Sequence, residues 1–194
     1  TDAGFLARYL PEVTHQKGVE QRLADAVRRA GMLRDGVQLV RTTTGPLALP
    51  RAEVEIDFDI EWDPDARVYL WGALVNRGGE ASYQPVVSWS DEVDERALAE
   101  EFVAWLRGLV AEAAERGERV LVYHYSDVEP KALVRLLGKA EVADVLAHFV
   151  DLLAIVRQHY FGLEGLGLKK VAPALGFAWR DEDPGGLQSQ VWLQ

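Results

Sequence analysis

Hydrophobic and polar residues alternate without a break along residues 53–61, and this is the sharpest periodic signal in the sequence. The apolar positions are Val54, Ile56, Phe58 and Ile60. The intervening positions are all acidic, namely Glu53, Glu55, Asp57, Asp59 and Glu61. Because successive side chains of a β-strand point to opposite faces, the pattern predicts a strand that packs one face on a core and lines the other with carboxylates.

The pattern downstream predicts strands and helices in an order typical of an α/β domain. Further strands are expected at residues 67–75, 82–89 and 119–123. Apolar residues at helical spacing predict helices at residues 91–116, 128–137, 142–159 and 168–175. The short apolar run at 119–123 is typical of a strand buried on both faces of a sheet. Three strands with short connections followed by alternating helices and a strand indicate an α/β fold with a mixed sheet.

The first 50 residues differ from the remainder and carry no catalytic signal. Apolar residues at helical spacing predict a helix from Thr14 to Ala30, which Gly31 helps to end. A short strand is predicted at residues 37–41, and residues 42–50 are typical of a connector. We therefore interpret residues 1–50 as the tail of an upstream domain plus a linker, and residues 51–194 as the functional domain.

Composition narrows the classes of function. The formal net charge of −10 argues against a free-standing protein that coats duplex DNA, because such proteins present a basic surface to phosphates. It remains compatible with an enzyme whose carboxylates hold divalent cations. The absence of cysteine from the sequence excludes disulfides and thiolate metal sites and suits a reducing cytoplasm. No apolar run of about 18 residues occurs, so we expect no membrane association and a cytoplasmic location.

The carboxylates of the predicted acidic strand carry the candidate chemistry. Asp57, Asp59 and Glu61 are spaced two apart, which places them on one face at roughly 6.5–7 Å intervals. Like charges at this spacing repel and raise each other's pKa values unless water, a basic neighbour or a cation relieves them. Hard oxygen ligands of this kind suit Mg²⁺ or Mn²⁺. The alternative interpretation is a solvated face at the edge of the sheet.

Four segments of the sequence resemble one nuclease family. Phe58-Asp59-Ile60-Glu61 is similar to the first motif of the DEDD exonuclease superfamily, and the stretch from about residue 50 to residue 194 resembles the ribonuclease H-like domain of the RecB-like putative nucleases. Tyr123 to Leu133 resembles the second motif, with Glu129 at the usual aspartate position. Phe149 to Leu153 resembles the Val-Asp-Leu segment, and Leu168 to Asp183 the closing segment.

The resemblance implies a fold, a cofactor and a set of site residues. The implied fold is ribonuclease H-like: a mixed sheet of an antiparallel meander plus parallel strands, flanked by helices. The implied reaction is phosphodiester hydrolysis, 3′-5′ exonuclease-like, with two Mg²⁺ or Mn²⁺ ions. The implied metal-site acids are Asp59, Glu61, Glu129 and Asp183.

Further residues are open to two interpretations. Asp57 is either an additional ligand or a bystander on the acidic face. Asp151, within the predicted helix at residues 142–159, is either a site residue or part of the polar face of that helix. Lys169, Lys170 and Arg180 lie near the implied site in the sequence and are expected to contact phosphate or to be solvated.

The sequence departs from the family pattern at the position of the general base. DEDD exonucleases carry Tyr or His four or five residues before the last aspartate, where this chain has Trp179 and Ala178. Neither side chain accepts a proton. The base therefore comes from elsewhere, with His124 or His159 as candidates, or the attacking water needs none, or the domain is inactive.

Three hypotheses follow for the function. The first is a metal-dependent nuclease that acts on DNA or RNA, preferably at a single-stranded end, with an upstream domain of the same polypeptide supplying further binding surface. The second is a catalytically silent ribonuclease H-like module that binds nucleic acid or a partner. The third is a generic acidic α/β domain, which predicts that Asp59, Glu61, Glu129 and Asp183 do not converge.

Overall fold

The computed structural model of the protein describes residues 18–90 and 92–179, and these form two compact units. Among the described residues, one unit, called here the sheet unit, comprises 47–90, 92–155 and Trp179. The other, called the flanking unit, comprises 18–46 and Val156–Ala178. The domain boundary predicted at residue 50 stays a prediction.

A five-stranded mixed sheet forms the centre of the sheet unit. Its strands are β2 (Val54–Trp62), β3 (Val68–Arg77), β4 (Glu80–Val87), β5 (Val120–His124) and β6 (Phe149–Asp151). The spatial order is β4-β3-β2-β5-β6, in which β2, β3 and β4 are an antiparallel meander and β2, β5 and β6 run parallel. The predicted α/β fold with a mixed sheet flanked by helices is therefore confirmed.

The apolar face of β2 lies in the core, as the alternation predicts. Phe58 stacks on Phe102 at 4.5 Å between ring centroids and on Trp71 at 6.0 Å. Phe102 belongs to α2 (Glu95–Glu115), which begins where the Asp94 side chain accepts a hydrogen bond from the Ala97 N–H. Such a cap satisfies one of the free N–H groups at the start of a helix. The cluster of aromatic rings fixes the face of β2 that points to the core, and hence the face that carries the acids.

The prediction of one continuous helix from Val142 to His159 is wrong. It contains α4 (Ala143–Leu146), then β6, then α5 (Leu152–His159), with α3 (Val128–Leu137) preceding them. The segment Phe149–Asp151 pairs in parallel with β5, from Val122↔Phe149 to His124↔Asp151. Edge pairing to a buried strand supplies the backbone hydrogen bonds that a continuous helix would otherwise provide. Asp151 consequently lies at the end of a strand.

The flanking unit contains α1 (Val19–Arg34), β1 (Leu39–Arg41), β7 (Tyr160–Gly162) and α6 (Leu168–Ala174). The short strand predicted at residues 37–41 is confirmed as β1. It pairs antiparallel with β7, a strand that the sequence pattern does not predict. The predicted end of the first helix near Gly31 is also wrong, because the helix continues through Gly31 to Arg34. A single glycine costs a helix only about 1 kcal/mol relative to alanine. No helix within residues 18–90 and 92–179 combines the length and apolar content needed to cross a membrane.

Candidate active site

The first two carboxylates of the acidic run are paired with basic residues. Glu53 accepts a hydrogen bond from the Arg119 N–H at 2.9 Å, and Glu55 forms an ion pair with Arg51 at 2.6 Å. These partners lower the pKa of both carboxyls: for Glu53 the main cause is the Arg119 N–H, and for Glu55 it is the hydrogen bond from Arg51. The repulsion predicted along the strand is thus relieved in its first half. The second half, from Asp57 onward, contains the motif that resembles the nuclease family.

Asp59 is the most strongly perturbed carboxyl on this face. Its pKa is raised to about 6, mainly because surrounding atoms exclude water from the carboxylate, with further contributions from the negative charges of Glu129 and Glu61. The Ile60 N–H donates to Asp59 Oδ1 at 2.9 Å and opposes the shift. Although part of the side chain remains exposed, this carboxylate holds its negative charge at an electrostatic cost. A nearby cation would remove that cost.

Glu129 lies on α3 and is almost fully buried, with 5% of its surface exposed. Its Oε2 atom is buried and has no hydrogen-bond partner among the described residues. The closest basic atom is Nδ1 of His124, at 3.7 Å, which exceeds hydrogen-bond distance. A buried carboxylate oxygen without a partner is costly, and in native proteins such an atom calls for a missing partner such as water or an ion. The charge of Glu129 also raises the pKa of Asp59, so two acids from separate elements act on the same region.

His124 is the last residue of β5 and is buried. Its Nδ1 hydrogen-bonds to the carbonyl of Ser126, a residue held at φ 94°. A carbonyl only accepts, so Nδ1 carries the proton in this contact. The contact holds the loop that leads into α3 and thereby positions Glu129. A catalytic role for His124 stays a prediction.

Asp151 holds the same loop from the neighbouring strand. Its Oδ1 accepts hydrogen bonds from the Ser126 N–H and the Ala154 N–H, both at 3.2 Å. The second of these caps the start of α5, and the first ties the end of β6 to the end of β5. The structure therefore gives Asp151 a clear structural role beside the candidate site, and its role as a metal ligand stays a prediction.

Asp57 and Glu61 lie on the same face of β2 as Asp59. Burial and the charge of Glu55 raise the pKa of Asp57, and Asn76 lies 3.5 Å from its Oδ2. Within residues 18–90 and 92–179, no three His, Asp or Glu side chains are close enough together to hold a metal ion. The fourth acid of the implied metal site, Asp183, lies outside the described residues, and so does Arg180. The negative charges of Glu61 and Glu129 both act on Asp59.

Lys169 and Lys170 lie on α6 in the flanking unit. Both line a cavity of about 280 Å³ together with Gln38 and Glu164, and Lys170 forms an ion pair with Glu164. Their role in binding nucleic acid stays a prediction.

Sequence reasoning missed one group on the acidic face. Tyr83 on β4 carries its hydroxyl across Gly72 of β3, and Gly72 lies opposite Asp59 in the β2–β3 pairing. The sequence places Tyr83 on a strand but does not give the register between strands. That register is the information needed to bring the phenol to the acids.

Comparison with known protein families identifies a matching family. The family model RNase_H_2, described as RNase_H superfamily, matches residues 56–194. The match begins within β2 and includes Asp57, Asp59, Glu61, Glu129 and Asp151. No match was found among the curated proteins, and none among the solved structures.

Proposed function

The chain belongs to the RNase H superfamily, and from that membership we propose that it is a divalent-metal-dependent nuclease of the DEDD type that hydrolyses phosphodiester bonds of nucleic acid from a 3′ end. The proposal includes the resemblance to the RecB-like nucleases, a cytoplasmic location and an upstream domain that supplies more binding surface. A single-stranded end is the substrate we favour.

One observation carries the proposal. The negative charge of Glu129 on α3 acts on Asp59 of β2, Glu129 Oε2 is buried without a hydrogen-bond partner among the described residues, and the pKa of Asp59 is raised to about 6. These are oxygen ligands in an electrostatically strained arrangement, which fits a hard divalent cation such as Mg²⁺ or Mn²⁺. We propose that Asp59, Glu61, Glu129 and Asp183 hold two such ions, with Asp57 as a further acid on the same face.

When bound, divalent cations supply charge neutralisation for a phosphodiester and its leaving oxygen. The side chains of this protein hold and orient the reactants. Glu61, next to Asp59 on the acidic face, is suited to accept a hydrogen bond from the attacking water. His124 and Asp151 fix the 124–128 loop and thereby the position of Glu129. The side chains of Lys169, Lys170 and Arg180 are proposed to contact phosphates along the bound strand.

A second candidate function rests on the missing general base. The positions four and five residues before Asp183 hold Trp179 and Ala178, which do not accept a proton. A domain that retains the acids but lacks the base would bind nucleic acid or a partner without cleaving it. Metal binding is expected in both cases, and hydrolysis only in the first.

Mn²⁺ binding and cleavage, measured in the same buffer, test the proposal. Calorimetric titration of Mn²⁺ should show site-specific binding to the parent and its loss in Asp59→Asn. The matched control is Glu53→Gln, which removes the carboxylate immediately before β2. That carboxylate already accepts a hydrogen bond from the Arg119 N–H, so the variant should bind Mn²⁺ like the parent. Labelled single-stranded DNA and RNA, each with a free 3′ end, should be shortened by the parent and by Glu53→Gln, but not by Asp59→Asn.

Each outcome has a distinct meaning. Binding with cleavage supports the nuclease. Binding without cleavage of either strand type favours the silent module. Absence of Mn²⁺ binding, or cleavage by Asp59→Asn at the parental rate, would overturn the assigned site.

A further inference from the structure

The Tyr83 hydroxyl is a hydrogen-bond donor on the acidic face of the sheet. Tyr83 pairs with Leu74 across β3–β4, and its ring reaches over Gly72, two residues along β3. A Cβ atom added to Gly72 would lie 2.6 Å from the Tyr83 hydroxyl oxygen. Gly72 pairs directly with Asp59 of β2. The Tyr83 hydroxyl therefore lies over the β3 backbone beside Asp59.

The glycine at position 72 provides the space for this approach. Its φ lies outside the left-handed range, so glycine is not required there by the backbone conformation. Glycine within a strand weakens the strand and often marks a close approach by another group. Here the approaching group is the phenol of Tyr83, and any side chain at position 72 would displace it.

The negative charges of the candidate site act on the Tyr83 phenol. The pKa of Tyr83 is raised, first by partial burial of the ring and then by the negative charges of Asp59 and Glu61. The ring is nevertheless accessible, with 58% of the residue exposed. No hydrogen bond joins the Tyr83 hydroxyl to a residue within the described ranges 18–90 and 92–179.

A nucleic-acid strand on this face needs donors. Carboxylates only accept hydrogen bonds, and so do the non-bridging oxygens of a phosphodiester. The other polar groups nearby on this face are already engaged, because the Tyr123 hydroxyl donates to the Pro50 carbonyl at 2.5 Å and Asn76 faces Asp57. The phenol of Tyr83 remains as a neutral donor.

We propose that the Tyr83 hydroxyl donates a hydrogen bond to a phosphate oxygen of a nucleic-acid strand bound on the acidic face, and that Gly72 keeps the space in which the hydroxyl lies. Tyr83 thereby contacts the substrate and helps to set the position of the strand relative to Asp59 and Glu61. The inference rests on the proposed nuclease function and adds a substrate-binding residue from β4.

Two single variants and their combination test this inference. Tyr83→Phe keeps the ring and removes the donor, whereas Gly72→Ala keeps the phenol and moves it away. Binding of a 5′-labelled single-stranded DNA oligonucleotide is measured by fluorescence anisotropy in Ca²⁺ buffer. Mn²⁺ binding is measured separately by calorimetry. Tyr160→Phe, which removes a phenol hydroxyl from β7 in the flanking unit, is the matched control.

Tyr83→Phe should weaken strand binding by about tenfold, as expected for loss of one hydrogen bond to a charged group. Gly72→Ala should weaken it to a similar extent, and the double variant no further than the stronger single variant, because both changes remove the same contact. Mn²⁺ affinity and the unfolding midpoint should stay at parental values in all three. Tyr160→Phe should bind the strand as the parent does.

Parental strand affinity in Tyr83→Phe would overturn the inference, as would effects that multiply to about a hundredfold in the double variant. A further variant, Tyr83→Ala, removes the ring as well. Weaker strand binding in Tyr83→Ala but not in Tyr83→Phe would also overturn the inference, because the contact would then come from the ring. In these cases the parent still binds Mn²⁺ and the strand, so the proposed function survives. A parent that binds neither Mn²⁺ nor the oligonucleotide would overturn both.

Discussion

Replacing Asp59 by asparagine should stabilise the metal-free protein at neutral pH, even though it should abolish metal binding. The folded state raises the pKa of Asp59 from 3.8 to about 6, chiefly because water is excluded from the carboxylate. Ionised Asp59 is therefore less favourable in the folded than in the unfolded protein. Asparagine keeps the shape of the side chain and removes the charge.

The size of the gain follows from the pKa shift. A difference of about 2 pKa units corresponds to roughly 3 kcal/mol at about 1.36 kcal/mol per unit. Because the Asp59 side chain is partly exposed, solvent screening reduces this to about 1–2 kcal/mol. For a protein of this size such a gain raises the unfolding midpoint by about 3–6 °C.

The sign of the effect depends on pH in a defined way. A carboxyl with a raised folded pKa binds more protons in the folded state, so its contribution to stability is lost as pH rises from about 4 through about 6. The advantage of Asp59→Asn should be full above about pH 7 and should be mostly lost near pH 4, where Asp59 is protonated in the folded state and the pH approaches its unfolded pKa.

The free energy of unfolding is measured by urea titration in the presence of EDTA, with tryptophan fluorescence as the signal. The sequence has no tryptophan in residues 1–46 or 156–178, so the signal reports on the sheet unit. Glu53→Gln is the control: its pKa is lowered by its hydrogen bonds, so neutralising it should bring no gain in stability. A gain in Asp59→Asn that persists at pH 4, or no gain at pH 7.5, would refute the reasoning. Added Mn²⁺ should stabilise the parent and Glu53→Gln, but not Asp59→Asn.

Three further changes test the surrounding structure. Asp151→Ala should lower the free energy of unfolding by about 1–2 kcal/mol in urea titrations, because two backbone N–H groups lose their acceptor. An unchanged free energy of unfolding would contradict the structural role of Asp151. Phe102→Ala should cost about 3–5 kcal/mol in the same assay, since Phe102 is fully buried in the aromatic stack, and a loss below about 1 kcal/mol would contradict that packing. Gly162→Ala should loosen the β1–β7 sheet, because an added Cβ would overlap the Gly165 carbonyl. Amide exchange of Leu39–Arg41, measured by mass spectrometry, should then accelerate, and parental protection would argue against the overlap.

The sequence predicts the acidic strand and its two faces correctly because a period of two leaves little ambiguity. Phe58 faces the core and Asp59 faces away from it, as the alternation requires. The sequence also predicts β3 and β4 in the right order, α2 and α3 from helical spacing, and β5 from its short continuous apolar run. These elements account for most of the sheet unit.

The short strand β6 could not be predicted in the same way. Phe149–Asp151 is flanked by residues at helical spacing, and three residues show no period of their own. The strand exists because β5 lies alongside it and supplies hydrogen-bond partners. The placement of Asp151, and therefore its contact with Ser126, depends on that tertiary pairing.

The approach of Tyr83 to the acids also depends on information beyond local pattern. Alternation alone does not fix which residue of β3 faces Asp59 or which residue of β4 faces Leu74. Once the register is known, Gly72 and Tyr83 become interpretable together. Glu129 differs, because only a resemblance to a known motif, and no periodic signal, pointed to it.

The pairing of β1 with β7 constrains the order in which the protein assembles. Arg41 pairs with Tyr160, and the whole segment 47–155 of the sheet unit lies between them in the chain. Closing so long a loop carries an entropic cost before any contact repays it. During synthesis β1 leaves the ribosome long before its partner strand exists, whereas the sheet unit has its central strands at an earlier stage. Folding of the inserted segment first would shorten the effective loop, so the two-stranded sheet is expected to form after the central strands of the sheet unit.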